Sequence, residues 1–210
     1  MDKNNIIMIT GLHGCGKSTQ IRLIKMYLEN IGKKVYVSKA DNGINLKKLI
    51  GKYDGSDDFF ITLLFIALNY RRRIQILEAL KSGKIVLLDR WDDIFDFYHS
   101  NFGPLSKNTK LKRMFRKLAF DKIKPDLIFY LKIEPTIAVK RCLKQKTFFH
   151  SNRINFLYQN KLFKYYENRT KANNWIVING KKNKKDIFSD IIKKINKQID
   201  YGNRKQLSCK

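Results

Sequence analysis

Apolar positions along the chain come in short runs separated by longer stretches of helical spacing. The runs lie at Ile6 to Thr10, Lys34 to Ser38, Ile85 to Leu88, Asp126 to Leu131 and Trp175 to Ile178, each rich in β-branched or aromatic residues. Runs this short read as strands. Because helical segments separate them, the five strands cannot pair as hairpins, and the pattern predicts an α/β fold with a parallel sheet covered by helices on both faces. The longest helical stretch runs from about Asp57 to Ser82, with Phe59, Leu63, Ile66, Tyr70, Ile74, Leu77 and Leu80 at steps of three or four and Gly83 as a stop. That stripe predicts a core-facing surface. A last amphipathic helix is carried by Ile187, Ile191, Ile192, Ile195 and Ile199, after which Tyr201 to Lys210 is expected to fray. No internal repeat and no Pro- or Gly-rich linker divides the chain, so residues 1–200 are expected to form one domain.

Composition narrows the class. With 210 residues, 43% hydrophobic and 12% aromatic, the chain is long and apolar enough for one sizeable core and too apolar for a disordered segment. Its longest apolar run, Phe59 to Leu68, is about half of what a bilayer requires, and the N-terminus has no basic region followed by an apolar one. We expect neither secretion nor a membrane span. Cys15, Cys142 and Cys209 are odd in number and form no CxxC pair, which argues against a disulfide framework or a zinc site and fits a cytoplasmic location.

The net charge of +26 is extreme and points toward polyanions such as nucleotides or nucleic acid. Roughly three lysines for each arginine, with abundant Asn and Ile, also follow from AT-rich coding sequence. The charge therefore bears on solubility and association, not on fold or specific function.

The chemistry begins at Gly11-Leu12-His13-Gly14-Cys15-Gly16-Lys17-Ser18, a complete GxxxxGK(S/T) loop directly after the first strand and before a helix beginning near Thr19. Glycines let successive backbone N–H groups turn inward around phosphates, and the helix N-terminus adds its positive dipole end. Lys17 then reaches the β and γ phosphates and Ser18 ligates Mg²⁺, so the predicted ligand is Mg-ATP. A plain strand-to-helix turn explains the glycines but not the Lys and Ser that follow.

A second element stands at Ile85 to Trp91, an apolar strand ending in Asp89-Arg90, at the carboxyl edge where open α/β sheets bind ligands. Asp89 can complete the magnesium shell beside Ser18. Arg90 has a rigid fork suited to an acceptor phosphate.

At this point the chain resembles the thymidylate kinase family. The shared features are the loop Gly11 to Ser18, a helix carrying Leu63-Leu64-Phe65, the strand end Asp89-Arg90-Trp91, the stretches Lys124 to Leu131 and Trp175 to Gly180, and a basic segment from Arg141 to Arg153. The resemblance implies a P-loop three-layer sandwich in which Phe65 stacks on the acceptor base, Arg90 holds its phosphate and Tyr98 packs near the sugar. It implies a short lid at about 141–155, read from Arg141, Lys144, Lys146 and Arg153, with Arg141 and Arg153 the choices for contact with the transferring phosphoryl group. It also implies a homodimer through helices beside the sheet. The activity implied is transfer of the ATP γ-phosphoryl group to a nucleoside monophosphate, dTMP to dTDP foremost.

The departures from the family lie on the acceptor side. His13 stands where the family has an acid, Thr10 where a Glu is usual, Lys39 to Gly43 where a Pro-containing segment with an arginine is usual, Asn69 where an Arg reads the pyrimidine, and Ile94 where a Ser is usual. Arg72, seven residues beyond Phe65 on the same helix face, and Asn69 itself are candidates to compensate. Two alternatives stay open on the residues alone. A deoxynucleoside kinase needs a carboxylate base for a neutral hydroxyl, and Asp41 is placed for that role. A nucleic-acid-binding P-loop protein uses the basic surface, although the chain has no RNA-binding aromatic motif or zinc-finger spacing.

Overall fold

The structure is a computed structural model and describes residues 5–39, 58–144 and 155–207, with side chains described through Gln198. Five strands, β1 (Ile6–Gly11), β2 (Val35–Ser38), β3 (Ile85–Asp89), β4 (Leu127–Lys132) and β5 (Ile176–Asn179), form one sheet in the order β2-β3-β1-β4-β5. All four pairings are parallel. Each strand falls within one residue of the run that predicts it, because a strand buried on both faces has a nearly continuous apolar sequence.

Among the described residues seven helices connect and cover these strands: α1 (Lys17–Asn30), α2 (Asp58–Lys81), α3 (Asp92–Asn101), α4 (Thr109–Phe120), α5 (Pro135–Lys144), α6 (Phe156–Ala172) and α7 (Lys184–Leu207). The connection from β3 to β4 holds two of them. A break at Gly103-Pro104 separates α3 from α4, and Asn108 caps α4 by accepting the Leu111 N–H. At the far end α7 continues to Leu207, through most of the segment that the sequence assigns to a frayed tail. No helix among the described residues is long and apolar enough to cross a membrane.

Alternation along the strands sends side chains into two cores. Ile7 and Ile9 of β1 and Leu87 of β3 join Ile21, Ile24 and Leu28 of α1, Tyr166 of α6 and Ile191 of α7 on one face. Ile6 and Met8 of β1 and Val86 and Leu88 of β3 meet Ile66 and Ile76 of α2 and Phe115 of α4 on the other. Burying a side chain of this size contributes about 1.5–3 kcal/mol. The central strands β1 and β3 are thereby clamped from both sides, which fixes where their carboxyl ends point.

The stripe expected to face the core on α2 is only partly inward. Thr62, Ile66, Arg72, Ile76 and Ala79 are buried, whereas Phe59, Leu63, Tyr70 and Ile74 lie exposed. α2 is apolar on two faces, so spacing alone cannot say which one meets the sheet.

α3 carries two groups whose titrations oppose each other. Burial, then the neighbouring charge of Asp93, raises the Asp92 carboxyl from 3.8 to about 6 against the pull of Arg116. Burial, then Lys112, lowers the His99 imidazole from 6.5 to about 4. A raised carboxyl is favoured protonated in the fold, so its contribution is lost as pH rises from 4 to 6. A lowered imidazole is favoured neutral, so its contribution is lost as pH falls from 6.5 to 4. Each amounts to about 3 kcal/mol and the two offset. Thermal denaturation of Asp92→Asn is expected to show stability climbing with pH across this window, and His99→Asn the reverse slope.

Candidate active site

The site grows from the carboxyl ends of β1 and β3. Gly11 closes β1 at φ 145°, and a side chain there would put its Cβ 2.7 Å from the Leu131 carbonyl oxygen of β4. Gly14 turns the loop back at φ 75°, with 2.8 Å between an added Cβ and the Ala138 carbonyl oxygen and 3.0 Å to the Cys142 sulfur. No L side chain fits in either place. α5 therefore leans directly on the loop, and this contact brings Arg141 beside it, with its guanidinium donating to the Gly180 carbonyl at 3.3 Å.

α1 starts at Lys17 with Gly16 as N-cap, no side-chain cap and no acidic residue in its first turn. Its leading N–H groups and positive dipole end are thus left to an anion. The Lys17 ammonium is buried and donates to the Leu12 carbonyl at 2.7 Å and the Gly11 carbonyl at 3.3 Å. Burial, then repulsion from Arg90, pulls its pKa below the ordinary value of 10.5, while Cys15 and Asp89 pull it up. Two cations crowded into one pocket are an arrangement that a polyanion relieves.

Arg90 is the second of those cations. Its backbone N–H extends the ladder to the Ile9 carbonyl at 3.1 Å, and its φ of 56° turns the chain sharply after Asp89. One terminal nitrogen donates to the Gly11 carbonyl at 2.6 Å, and the other lies 3.4 Å from His13 Nε2. The β1–β3 register pairs Ile9 with Asp89. Gly11, His13, Gly14, Cys15, Gly16, Lys17, Ser18, Thr19, Asp89 and Arg90 consequently meet at one end of the sheet, with Ser18 exposed and Thr19 half-buried.

A magnesium site fits this donor set. Ser18 and Asp89 offer oxygen ligands, and among the described residues no cluster of three or more His, Cys, Asp or Glu forms a cage. Mg²⁺ needs no such cage, because one or two protein oxygens plus substrate phosphates and waters complete its shell.

The acceptor candidates on α2 are engaged differently from one another. Asn69 turns one amide proton back to the Phe65 carbonyl at 2.8 Å. Arg72 is buried, with Nε donating to Ser38 Oγ at 2.8 Å and Nη2 to the carbonyls of Ser38, Arg90 and Asp89 at 2.8, 2.9 and 3.2 Å. Its fork faces main chain at the ends of β2 and β3. Phe65 is half-buried, and Tyr98 on α3 lies 5.0 Å from the His99 ring. Asp41, Lys146 and Arg153 lie outside the described residues, as does most of the lid segment, while Lys144 is exposed at the end of α5.

The chain matches the family model described as thymidylate kinase over residues 9–191. It belongs to the thymidylate kinase family. It is similar to the thymidylate kinase of Thermosipho africanus, 29% identical over 204 residues that cover 92% of this chain and 98% of that relative. The thymidylate kinase of Buchnera aphidicola is 30% identical over 214 residues, covering 95% and 100%. That of Plasmodium falciparum is 29% identical over 202 residues, covering 93% and 91%. Membership in this thymidylate kinase family makes the chain a P-loop nucleoside monophosphate kinase with nucleotide substrates, as the loop and the strand end anticipate.

Reading the sequence alone misses three side chains around this thymidylate kinase site, Asp93, Tyr166 and Tyr158. Asp93, Thr10 and Tyr166 form a buried hydrogen-bonded group beneath Arg90, and the Tyr158 ring lies 6.2 Å from His13. The available signal was Asp93 itself, an acid between Trp91 and Phe95 in a chain with 18 acids against 44 bases.

Proposed function

We propose that the chain transfers the γ-phosphoryl group of Mg-ATP to a nucleoside monophosphate, with dTMP the foremost acceptor and dTDP the product. The contact of Arg90 with the Gly11 carbonyl carries this reading, because it sets an acceptor-phosphate cation directly against the loop that cradles the donor phosphates. Backbone amides of the loop and Lys17 bind the triphosphate, and Arg90 draws the acceptor phosphate toward it. Arg141 adds positive charge from α5. Ser18 and Asp89 would hold magnesium, which would supply charge neutralisation on the donor phosphates.

The chemistry needs no strong base. A phosphate monoester has a second pKa of about 6, so its dianion is already a nucleophile at neutral pH. That removes the need for a carboxylate such as Asp41, which the nucleoside-kinase alternative requires. Family membership lends no support to that alternative or to nucleic-acid binding.

The relatives' names support dTMP, and the substituted acceptor side makes base selection the point to test. An ATP-consumption screen of the purified chain against every nucleoside monophosphate and nucleoside is expected to give dTMP turnover well above the rest and none on nucleosides. Turnover on nucleosides alone overturns the assignment.

A second copy of the chain is the cover that the exposed side chains of α2 and α4 support. Phe59, Leu63, Tyr70 and Ile74 on α2 and Met114 and Leu118 on α4 are exposed apolar side chains on two helices that pack together, and exposed apolar side chains of this kind suit an oligomer interface. A reducing cytoplasm suits the buried thiols of Cys15 and Cys142, which form no disulfide with one another.

A further inference from the structure

Asp93 is the only acidic side chain in the interior among the described residues, with no exposed surface. A carboxylate is costly to bury and persists where every lone pair direction is answered. Its partners come from three separate parts of the chain. Oδ1 accepts the Trp91 N–H at 2.8 Å, and Oδ2 accepts from the Thr10 hydroxyl at 2.6 Å and the Tyr166 hydroxyl at 2.9 Å. The two hydroxyl oxygens are themselves 2.9 Å apart.

Two hydroxyl protons therefore serve three contacts, and the carboxylate is an acceptor in either arrangement. Both hydroxyls donate to Oδ2, or Thr10 donates to Tyr166 and Tyr166 to Oδ2. Burial, then the charge of Asp93, pushes the Tyr166 phenol well above its ordinary value and keeps it a donor.

Each partner adjoins a working part of the site. Thr10 precedes Gly11, whose carbonyl holds the Arg90 guanidinium, and Trp91 follows Arg90. Tyr166 belongs to α6, the helix that also sets Tyr158 beside His13.

We propose that Asp93 is a positioning residue for phosphoryl transfer, its buried carboxylate locking the end of β1, the turn that carries Arg90 and α6 into one unit that aims Arg90 at the acceptor phosphate. This rests on the reading of Arg90 as the acceptor-phosphate ligand. The unit acts on the acceptor and leaves the loop amides that bind the donor untouched.

The test is steady-state kinetics of the full chain alongside Mg-ADP affinity by calorimetry. Asp93→Asn is expected to raise the acceptor KM about 10-fold and lower kcat about 10-fold, with the Mg-ADP Kd within about 3-fold of wild type. Thr10→Val keeps the shape and loses the hydroxyl, so it shows the same pattern, whereas Thr10→Ser keeps the wild-type acceptor KM. A merely structural role predicts the opposite order, since Val suits a buried strand better than Ser. The Thr10 pair also decides the matter if Asp93→Asn does not fold. An active wild type whose Thr10→Val variant keeps its acceptor KM, or loses Mg-ADP affinity equally, overturns the positioning role. A wild type that phosphorylates no nucleoside monophosphate overturns the function itself.

Discussion

Lys17→Met is expected to lower kcat/KM by about three orders of magnitude while leaving the thermal midpoint unchanged or raised. The two halves of this expectation have one cause. In the fold the ammonium is buried against the carbonyls of Leu12 and Gly11 and beside a second cation, and both burial and Arg90 disfavour its charged form. A base held below its ordinary pKa destabilises the fold at every pH under that ordinary value, neutral pH included. Methionine has nearly the same length without the charge, so the substitution removes that penalty along with the hydrogen bonds. The lost activity reflects the absent charge on the β and γ phosphates. Scanning calorimetry and initial rates on the same preparation check both. A variant that loses activity together with several degrees of midpoint contradicts this account and makes Lys17 a structural tie of the loop.

Such a trade is common at functional sites, where a stable arrangement is given up for a competent one. It also bears on how far the sequence could be read. The phosphate loop was fully legible, because its geometry is local: the positive φ of Gly11 and Gly14, the uncapped start of α1 and the position of Lys17 all lie within eight consecutive residues. Asp89 and Arg90 were legible for a related reason, since the end of an apolar strand in a parallel sheet marks the ligand edge. The sheet followed from its apolar runs. The orientation of α2 did not, because exposed Leu63 and Tyr70 are as apolar as buried Ile66 and Ile76, and the choice of face depends on what α4 and the sheet offer.

Contacts across long sequence separations were illegible. Asp93 meets Thr10 across 83 positions, and Thr10 meets Tyr166 across 156. Each residue alone has an ordinary explanation, as a helix-start acid, a strand threonine and a core tyrosine. Only the fold brings the three oxygens to one point.

Arg72 is the clearest instance, and its replacement is expected to have the other large effect. The spacing from Phe65 suggests a side chain reaching for a base. In the structure its fork donates to Ser38, Asp89 and Arg90, and the guanidinium lies 4.9 Å from the Trp91 ring centroid. A planar guanidinium can reach several carbonyls in one plane where a lysine ammonium cannot. Two of those carbonyls flank the residue at φ 56°, a conformation that a side-chain-bearing residue keeps only when its surroundings hold it. Arg72→Met leaves these carbonyls without their charged donor, for which a loss of about 3 kcal/mol of stability is expected. Arg90 then relaxes, and a displacement of about 1 Å at a reacting group is enough for a loss near 100-fold in kcat/KM. The direction of the kinetic change separates this role from direct base contact. Through Arg90, every monophosphate loses affinity alike, Mg-ADP binding persists, and Arg72→Lys recovers only part of the loss. Direct contact with a base predicts instead an altered preference among bases with little change in stability. Comparing kcat/KM for several nucleoside monophosphates with the urea midpoint of each variant distinguishes them, and a changed base order at constant midpoint contradicts the expectation.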